Sequence, residues 1–349
     1  MQKTSSTLAT LLLVLPLSSS LSAATFEVLF PVDYAYGEKS VLVSDDGSTV
    51  LSTRAGAGQH DMYRWTESQG VVQTYPRAGG SDPSAISGDG QTIVTYTYPS
   101  LLGIYDASYD GSTQVGASGG YPNGEAIAIT PSQTYNIGKL LPTDTSSLAW
   151  SVSGDGKTVV GVSTGATTRE AFYWTADSGM VAMGTLPGAT VRNSYAHAIS
   201  PAGDVIVGRS ASQNSSEEAF RWTPGGGMQP LGDLPGGFYA SEAFAVANGG
   251  DLIVGKSFSN FASEAFLWNT PHGMRRLADV LIGEHGLDLQ GLKLISATDI
   301  SASGNVIVGW ATDSANNAFA FRVNLIPEPS TLVLLTAAMT LVSLTRRRS

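Results

Sequence analysis

No cysteine occurs in the 349-residue chain, and histidine is represented only four times. Without thiols there is no disulfide framework, no zinc–thiolate site and no cysteine nucleophile, so an oxidising compartment is permitted but goes unused. Charge is scarce too, at 14% of residues, and it leans negative, with a formal net charge of −10. Such a surface repels phosphates and anionic headgroups, which excludes nucleic acid as a partner. Long apolar runs are confined to the two ends. Between them, 40 glycines and 16 prolines punctuate the chain too often for long helices and predict many short strands joined by turns. His-Glu-x-x-His, a strand-to-helix Gly-x-Ser-x-Gly elbow and a glycine-rich loop opening a helix are all missing, so no metal, cofactor or catalytic residue is assigned.

The two apolar ends read as export devices. At the start, Lys3 precedes the apolar stretch Leu8 to Leu17 and a run of small residues, the order of a secretory signal read by the Sec machinery. Cleavage is expected after Ala23 or Ala24, which removes residues 1–24. At the other end, the 13 residues from Leu332 to Leu344 carry no charge. They span about 20 Å as a helix, short of a hydrocarbon core of roughly 30 Å. Arg346, Arg347 and Arg348 follow, and the positive-inside rule holds them in the cytoplasm. The segment can detain a chain in the membrane, yet it is a poor permanent anchor, as a removable sorting signal should be. The order of Pro327, Glu328 and Pro329, an apolar stretch and a basic cluster resembles the PEP-CTERM tails handled by exosortases in Gram-negative bacteria. That resemblance covers residues 326–349 and implies an inner-membrane intermediate, then release to the cell surface or exterior. A plain C-terminal anchor is the alternative. Removal of both ends would leave residues 25–325.

The interior is one unit written repeatedly. The stretch from Ala196 to Ser210, AHAISPAGDVIVGRS, returns 47 residues later as AFAVANGGDLIVGKS from Ala243. Each such stretch leads to a second signature, EAFYWT at Glu170, EAFRWT at Glu218 and EAFLWN at Glu264, and then to Gly-Met and Leu-Gly-x-Leu-Pro-Gly. Turn glycines Gly47, Gly90, Gly156, Gly203, Gly250 and Gly304 mark six copies. Within a copy, HAIS, DVIVG, EAFRW and MQPLG read as four short strands, with Asp-Gly-type hairpin chemistry between the first two. Four antiparallel strands per repeat of this size make a β-propeller blade, and the fold class expected is all-β, a six-bladed propeller, with an open solenoid stack as the alternative. The sixth unit stops after its third strand. Ahead of the first unit stands TFEVLFP, Thr25 to Pro31, with the phase of a fourth strand; it would complete the last blade and leave no open edge. Two stretches break the period and read as insertions, 98–124 and 281–294, the second with a helical turn.

Ala-Phe before Trp, Gly-Met, Leu-Gly-x-Leu-Pro-Gly and Val-Ile-Val-Gly together resemble the HAF extracellular repeat proteins over residues 40–324. The match is good at Ala171–Phe172, Ala219–Phe220 and Ala265–Phe266. It weakens at Ala318–Phe319, where Phe321 stands for Trp, and in the first two units; Glu also replaces the His of the family's nickname. The resemblance implies an exported repeat protein and transfers no catalytic residue.

Among repeated positions, Asp61, Glu125, Glu170, Glu218 and Glu264 form a series of carboxylates. One carboxylate per blade cannot supply the six to eight close oxygens of a calcium site, so they read as structural. Trp174, Trp222 and Trp268 share one phase and read as packing between blades. The candidate for specific binding is the insertion bearing Tyr98, Tyr105, Tyr109 and Tyr121, because loops on rigid scaffolds carry function and tyrosine suits sugars and protein surfaces alike. Two functions follow: a non-enzymatic surface or matrix protein that binds exopolysaccharide or a neighbouring surface protein, and a secreted glycan-degrading enzyme. The second needs two carboxylates about 5–10 Å apart, brought together from different blades.

Overall fold

The computed structural model describes residues 24–32, 41–56, 59–78, 81–97, 102–119, 123–259 and 262–325. They form six four-stranded antiparallel sheets and one two-stranded sheet, in chain order. Sheet I comprises Val41–Val43, Thr49–Gly56, Gln59–Thr66 and Gly70–Ala78; sheet II is the pair Ser81–Ile86 and Ile93–Thr97. Sheet III comprises Leu102–Ala107, Gln114–Ser118, Glu125–Ile129 and Thr134–Gly138; sheet IV comprises Ser146–Val152, Val159–Thr164, Arg169–Thr175 and Gly179–Gly184. Sheet V takes Ser194–Ile199, Ile206–Ser210, Glu218–Thr223 and Gly227–Gly232; sheet VI takes Ser241–Val246, Ile253–Ser259, Ala262–Asn269 and Gly273–Arg276. In sheet VII, Lys293–Ile300, Val306–Thr312 and Ala318–Asn324 are completed by the first strand of the chain, Thr25–Pro31.

Each sheet packs against the next through its first strand, and sheet I packs against sheet VII in the same way. The VII–I boundary is an apolar core, with Phe30, Val41, Val50, Trp65, Val308 and Ala320 all buried. Across it, the Phe30 and Tyr63 rings stack at 5.1 Å and the Arg322 guanidinium lies 4.2 Å from the Trp65 ring. The N-terminal strand therefore takes the place the sequence assigns it, in register with Ala318–Asn324.

The six-unit reading needs correction in its second copy. Residues 98–124 are not an insertion, for 102–118 supplies the first two strands of sheet III. Ser81–Thr97 stands alone as a two-stranded sheet, and the closing piece from Glu125 belongs to sheet III. The overlooked signal is Ser108-Tyr-Asp-Gly111, one more copy of the hairpin turn. Gly47, Gly90, Gly111, Gly156, Gly203, Gly250 and Gly304 all hold positive φ, a conformation a Cβ disfavours. The helical turn expected in 281–294 begins earlier, as Leu277–Gly283.

The seven turns are linked into a cycle of hydrogen bonds. Asp46 N–H donates to Gly88 O, Asp89 N–H to Tyr109 O, Tyr109 N–H to Gly154 O and Gly154 N–H to Pro201 O. Ala202 N–H then donates to Asn248 Oδ1, Asn248 N–H to Ala302 O and Ala302 N–H to Asp45 O. A second set of clamps explains the repeated serines. Ser194 Oγ accepts from Ala171 N–H and donates to Gly184 O of the preceding sheet, and Ser241 does the same with Ala219 and Gly232. Leu186 and Leu234, of the Leu-Pro-Gly motif, donate their N–H to Ser210 and Ser257 of the next sheet. The repeat signature is thus largely a sheet-to-sheet hydrogen-bonding pattern, which satisfies backbone groups that burial would otherwise leave unpaired.

Candidate functional site

The first strands of the seven sheets surround a common cavity next to the turn cycle, touched by Val43, Ile86, Ala107, Val152, Ile199, Val246 and Ile300. Its free volume is about 90 Å³, room for a handful of waters. Asp45, Asp106 and Asp299 line it. Two of them join sheets. Asp106 accepts from Ser151 Oγ at 2.7 Å and Val152 N–H at 3.0 Å, and Asp299 accepts from Val43 N–H at 2.9 Å. Burial, followed by repulsion from Asp106 and Asp46, pushes the Asp45 carboxyl up to about 6.

Toward the start of the same strands the chemistry changes. The first strands of sheets III to VII each carry a bulge, at Tyr105, Trp150, His197, Phe244 and Thr298. Opposite it stands a glycine of the second strand: Gly116, Gly161, Gly208, Gly255 or Gly309. A Cβ at any of these would collide with the carbonyl oxygen of the facing strand, which is why Val-Gly recurs there. The bulge re-aims one side chain, as bulges do, and three of the re-aimed rings meet. Trp150 and His197 stack at 4.8 Å and 6°, and His197 meets Phe244 edge-on at 5.9 Å. Tyr195 extends the stack, 5.7 Å from Trp150.

Glu242 gathers the charges around this stack. Its carboxylate lies 2.7 Å from His197 Nε2, 3.0 Å from Arg209 Nε and 3.1 Å from Lys256 Nζ. The His197 and Arg209 contacts are off the hydrogen-bonding line. Burial by itself would raise the Glu242 carboxyl, but His197, Arg209 and Lys256 outweigh it and hold the group far below the usual carboxylate range. The Arg209 guanidinium also lies 4.2 Å from the Tyr195 ring centre, and Lys256 Nζ lies 5.1 Å from that of Phe244. The result is a cluster of rings and cations built by sheets IV, V and VI, in which His197 and Phe244 are buried and Trp150, Tyr195, Arg209 and Lys256 are half-buried.

The residues singled out in the sequence fall elsewhere. Tyr105 lines the small cavity, while Tyr109 lies in a hairpin turn, 48% exposed, with its N–H in the turn cycle. Tyr98 and Tyr121 lie outside the described residues, so the expected tyrosine loop is replaced, as far as it is described, by a strand and a turn. The repeated acids are engaged locally: Glu125 with Lys139 at 3.1 Å, Glu170 with Arg192, Glu264 with Arg276 at 2.6 Å, and Glu218 as acceptor from Tyr239 Oη at 3.1 Å. The side chain of Asp61 lies outside the described residues. Trp174 is buried against Tyr135, and Trp222 packs 5.2 Å from Tyr173 of the preceding sheet, the inter-sheet role expected of them. Pro327, Glu328, Pro329, Arg346, Arg347, Arg348 and Ala23 lie outside the described residues; Ala24 directly precedes the first strand. Among the described residues, no group of three or more His, Asp or Glu side chains could hold a metal ion, and no helix is long and apolar enough to cross a membrane.

Sequence reasoning missed Trp150, His197 and Phe244. A signal existed, because the three recur at the 47-residue period, but it carries no common residue type. Only the bulge shows that one phase aims three different rings at the axis.

No protein-family model matches the chain, and no curated protein matches it in sequence. Among solved structures, it is similar to a putative TolB from Agrobacterium tumefaciens, at 16% identity over 86% of this chain and 91% of that one, with a TM-score of 0.45. The β-propeller domain of Cps50 (Swd1) from Myceliophteria thermophila gives 10% identity, coverage of 85% and 99%, and a TM-score of 0.48. The β-propeller domain of the Trilobed protease from Pyrococcus furiosus gives 9%, 68% and 82%, and 0.48.

Proposed function

We propose that the chain is an exported, non-enzymatic surface or matrix protein: a closed propeller of seven blade positions, one of them two-stranded, that binds glycan or a neighbouring surface protein. The observation that carries this reading is the platform of Trp150, Tyr195, His197 and Phe244 with Arg209 and Lys256. Trp150 and Tyr195, half-buried and backed by the buried rings of His197 and Phe244, with Arg209 and Lys256 beside Glu242, form a preorganised surface for sugar faces or protein side chains. The cavity on the other side of these rings is too small for a sugar, and its carboxylates Asp106 and Asp299 are tied to neighbouring sheets. Both features favour binding over glycan cleavage.

Export by Sec and tail processing by an exosortase belong to the same proposal. Cleavage after Ala23 or Ala24 would leave the closing strand, Thr25–Pro31, at the new terminus and free to pair. The test presents residues 25–325 to a panel of immobilised polysaccharides. Retention without release of product is the expected result. Sustained product release that one carboxylate substitution abolishes would overturn the reading in favour of an enzyme.

A further inference from the structure

The sheet-to-sheet hydrogen bonds and the ring cluster leave the Gly-Met pair of the repeat unexplained. Its glycine closes the hairpin between third and fourth strands, with φ of 65° at Gly179, 64° at Gly227 and 67° at Gly273. Its methionine then faces the repeated tryptophan: Met180 lies opposite Trp174, Met228 opposite Trp222 and Met274 opposite Trp268. Facing residues of an antiparallel pair project from the same side of the sheet, so each thioether lies beside an indole. Each pair belongs to the apolar packing between one sheet and the next. Trp174 and Met180 pack with Tyr135 at the III–IV boundary, Trp222 and Met228 with Tyr173 at IV–V, and Trp268 and Met274 with Val207 at V–VI. All three methionines are half-buried, packed on one side and open to solvent on the other, whereas Met62 is buried. No cysteine competes with them for an oxidant.

We infer that Met180, Met228 and Met274 are sites of reversible oxidation by peroxide, and that a sulfoxide at each loosens the sheet boundary it packs. The thioether sulfur attacks one oxygen of hydrogen peroxide. An S–O bond forms as the O–O bond breaks, sulfur gives up two electrons, and the second oxygen leaves as water with both protons. The product sets a strongly polar oxygen among an indole and aliphatic groups, where burial without a hydrogen-bond partner costs stability. It also replaces the favourable contact between a soft sulfur and a ring. Because three successive boundaries carry the same pair, oxidation weakens sheets III to VI together. The VII–I closure is spared, since Val71 stands opposite Trp65 there.

The test incubates the purified full chain with hydrogen peroxide, locates sulfoxides by peptide mass spectrometry and follows thermal melting. Met180, Met228 and Met274 should oxidise before Met62. The melting temperature should fall by about 2–4 °C for each boundary oxidised. The two methionine sulfoxide reductases, one for each sulfoxide epimer, should restore it. A variant carrying Met180→Leu, Met228→Leu and Met274→Leu keeps the apolar volume and should show no fall in peroxide. It retains Met183, half-buried at a bulge with no facing residue in its ladder. A fall that persists in this variant therefore belongs to another residue and overturns the inference. Peroxide that leaves the three methionines unmodified, or modifies them without changing the melt, overturns it equally. The single variant Met228→Leu keeps the test open should the triple variant not fold: it should remove about one third of the parent's fall, and an undiminished fall counts against the inference.

Discussion

Val28 lies opposite Phe321 in the antiparallel ladder that joins the first described strand to the last. The two residues are nearly the whole domain apart in sequence, yet their pairing fixes the register of Thr25 against Asn324 and of Glu27 against Arg322. Phe26 also stacks on Phe321 at 5.9 Å. The last sheet thereby holds both ends of the domain.

Cross-linking tests this closure. Facing residues in an antiparallel pair have Cα atoms about 4.5–5.5 Å apart, within disulfide reach. A Cys pair at 28 and 321 should bridge, although Phe321 is fully buried and its loss weakens the core. Thr25→Cys with Asn324→Cys, at more open positions, should bridge with less disturbance, and no native thiol competes. Deleting 26–31 should expose the edge at Ala318–Asn324 and promote aggregation. A deletion variant that melts normally and stays monomeric would contradict closure.

The bulge glycines should be intolerant. Gly208→Ala places a methyl group against the Tyr195 carbonyl, so the bulge that aims His197 must flatten or shift. A loss of about 1–3 kcal/mol is expected from overpacking, together with a changed environment for Trp150. Gly179→Ala is a different case. Its Cβ has open space but a φ of 65°, so only conformational strain of about 1–2 kcal/mol applies. Denaturant melts with near-ultraviolet circular dichroism distinguish the two effects.

The repeated tryptophans should differ by burial. Trp174, 8% exposed, should cost about 3–5 kcal/mol on substitution by alanine. Trp222 is only partly buried, beside Tyr173, and should cost less. If Trp222→Ala hardly changed stability but reduced ligand retention, the ring would be a binding surface, not packing.

Two buried acids predict opposite pH dependences. Glu242 is depressed in the folded state, so its contribution is present above its unfolded value of 4.5 and is lost as the pH falls below it. Glu242→Gln should destabilise by about 1–3 kcal/mol at pH 7, since it takes a buried carboxylate's charge from the half-buried Arg209 and Lys256, and the loss should shrink in acid. Asp45 is raised to about 6 from 3.8, so its charge costs stability above that window and the cost vanishes below it. Asp45→Asn should therefore raise stability by about 1–3 kcal/mol at pH 8 and have no benefit at pH 3. Thermal melts across pH 3–8 settle both signs.

Sorting makes a separate prediction. Glu328→Ala, or removal of Arg346, Arg347 and Arg348, should leave unprocessed protein in the inner membrane. If both variants reach the exterior at the normal mature mass, the tail does not direct sorting.

Local sequence determined the strand period, the hairpin turns and the phase of the closing strand, because each rests on short-range chemistry. Glycine at positive φ, Ser-x-x-Gly turns and apolar alternation keep their meaning wherever they stand. The same locality misled at residues 98–124, where a turn at Ser108–Gly111 has no Glu-Ala-Phe-x-Trp signature between it and the preceding turn; a two-stranded sheet leaves no motif of its own. Only the tertiary structure decided what meets at the axis. Trp150, His197 and Phe244 are unlike side chains on three strands, joined by the geometry of a bulge and not by composition. Glu242 meets Arg209, and Lys256 and Lys293 share a groove with Trp310, because successive sheets pack against one another.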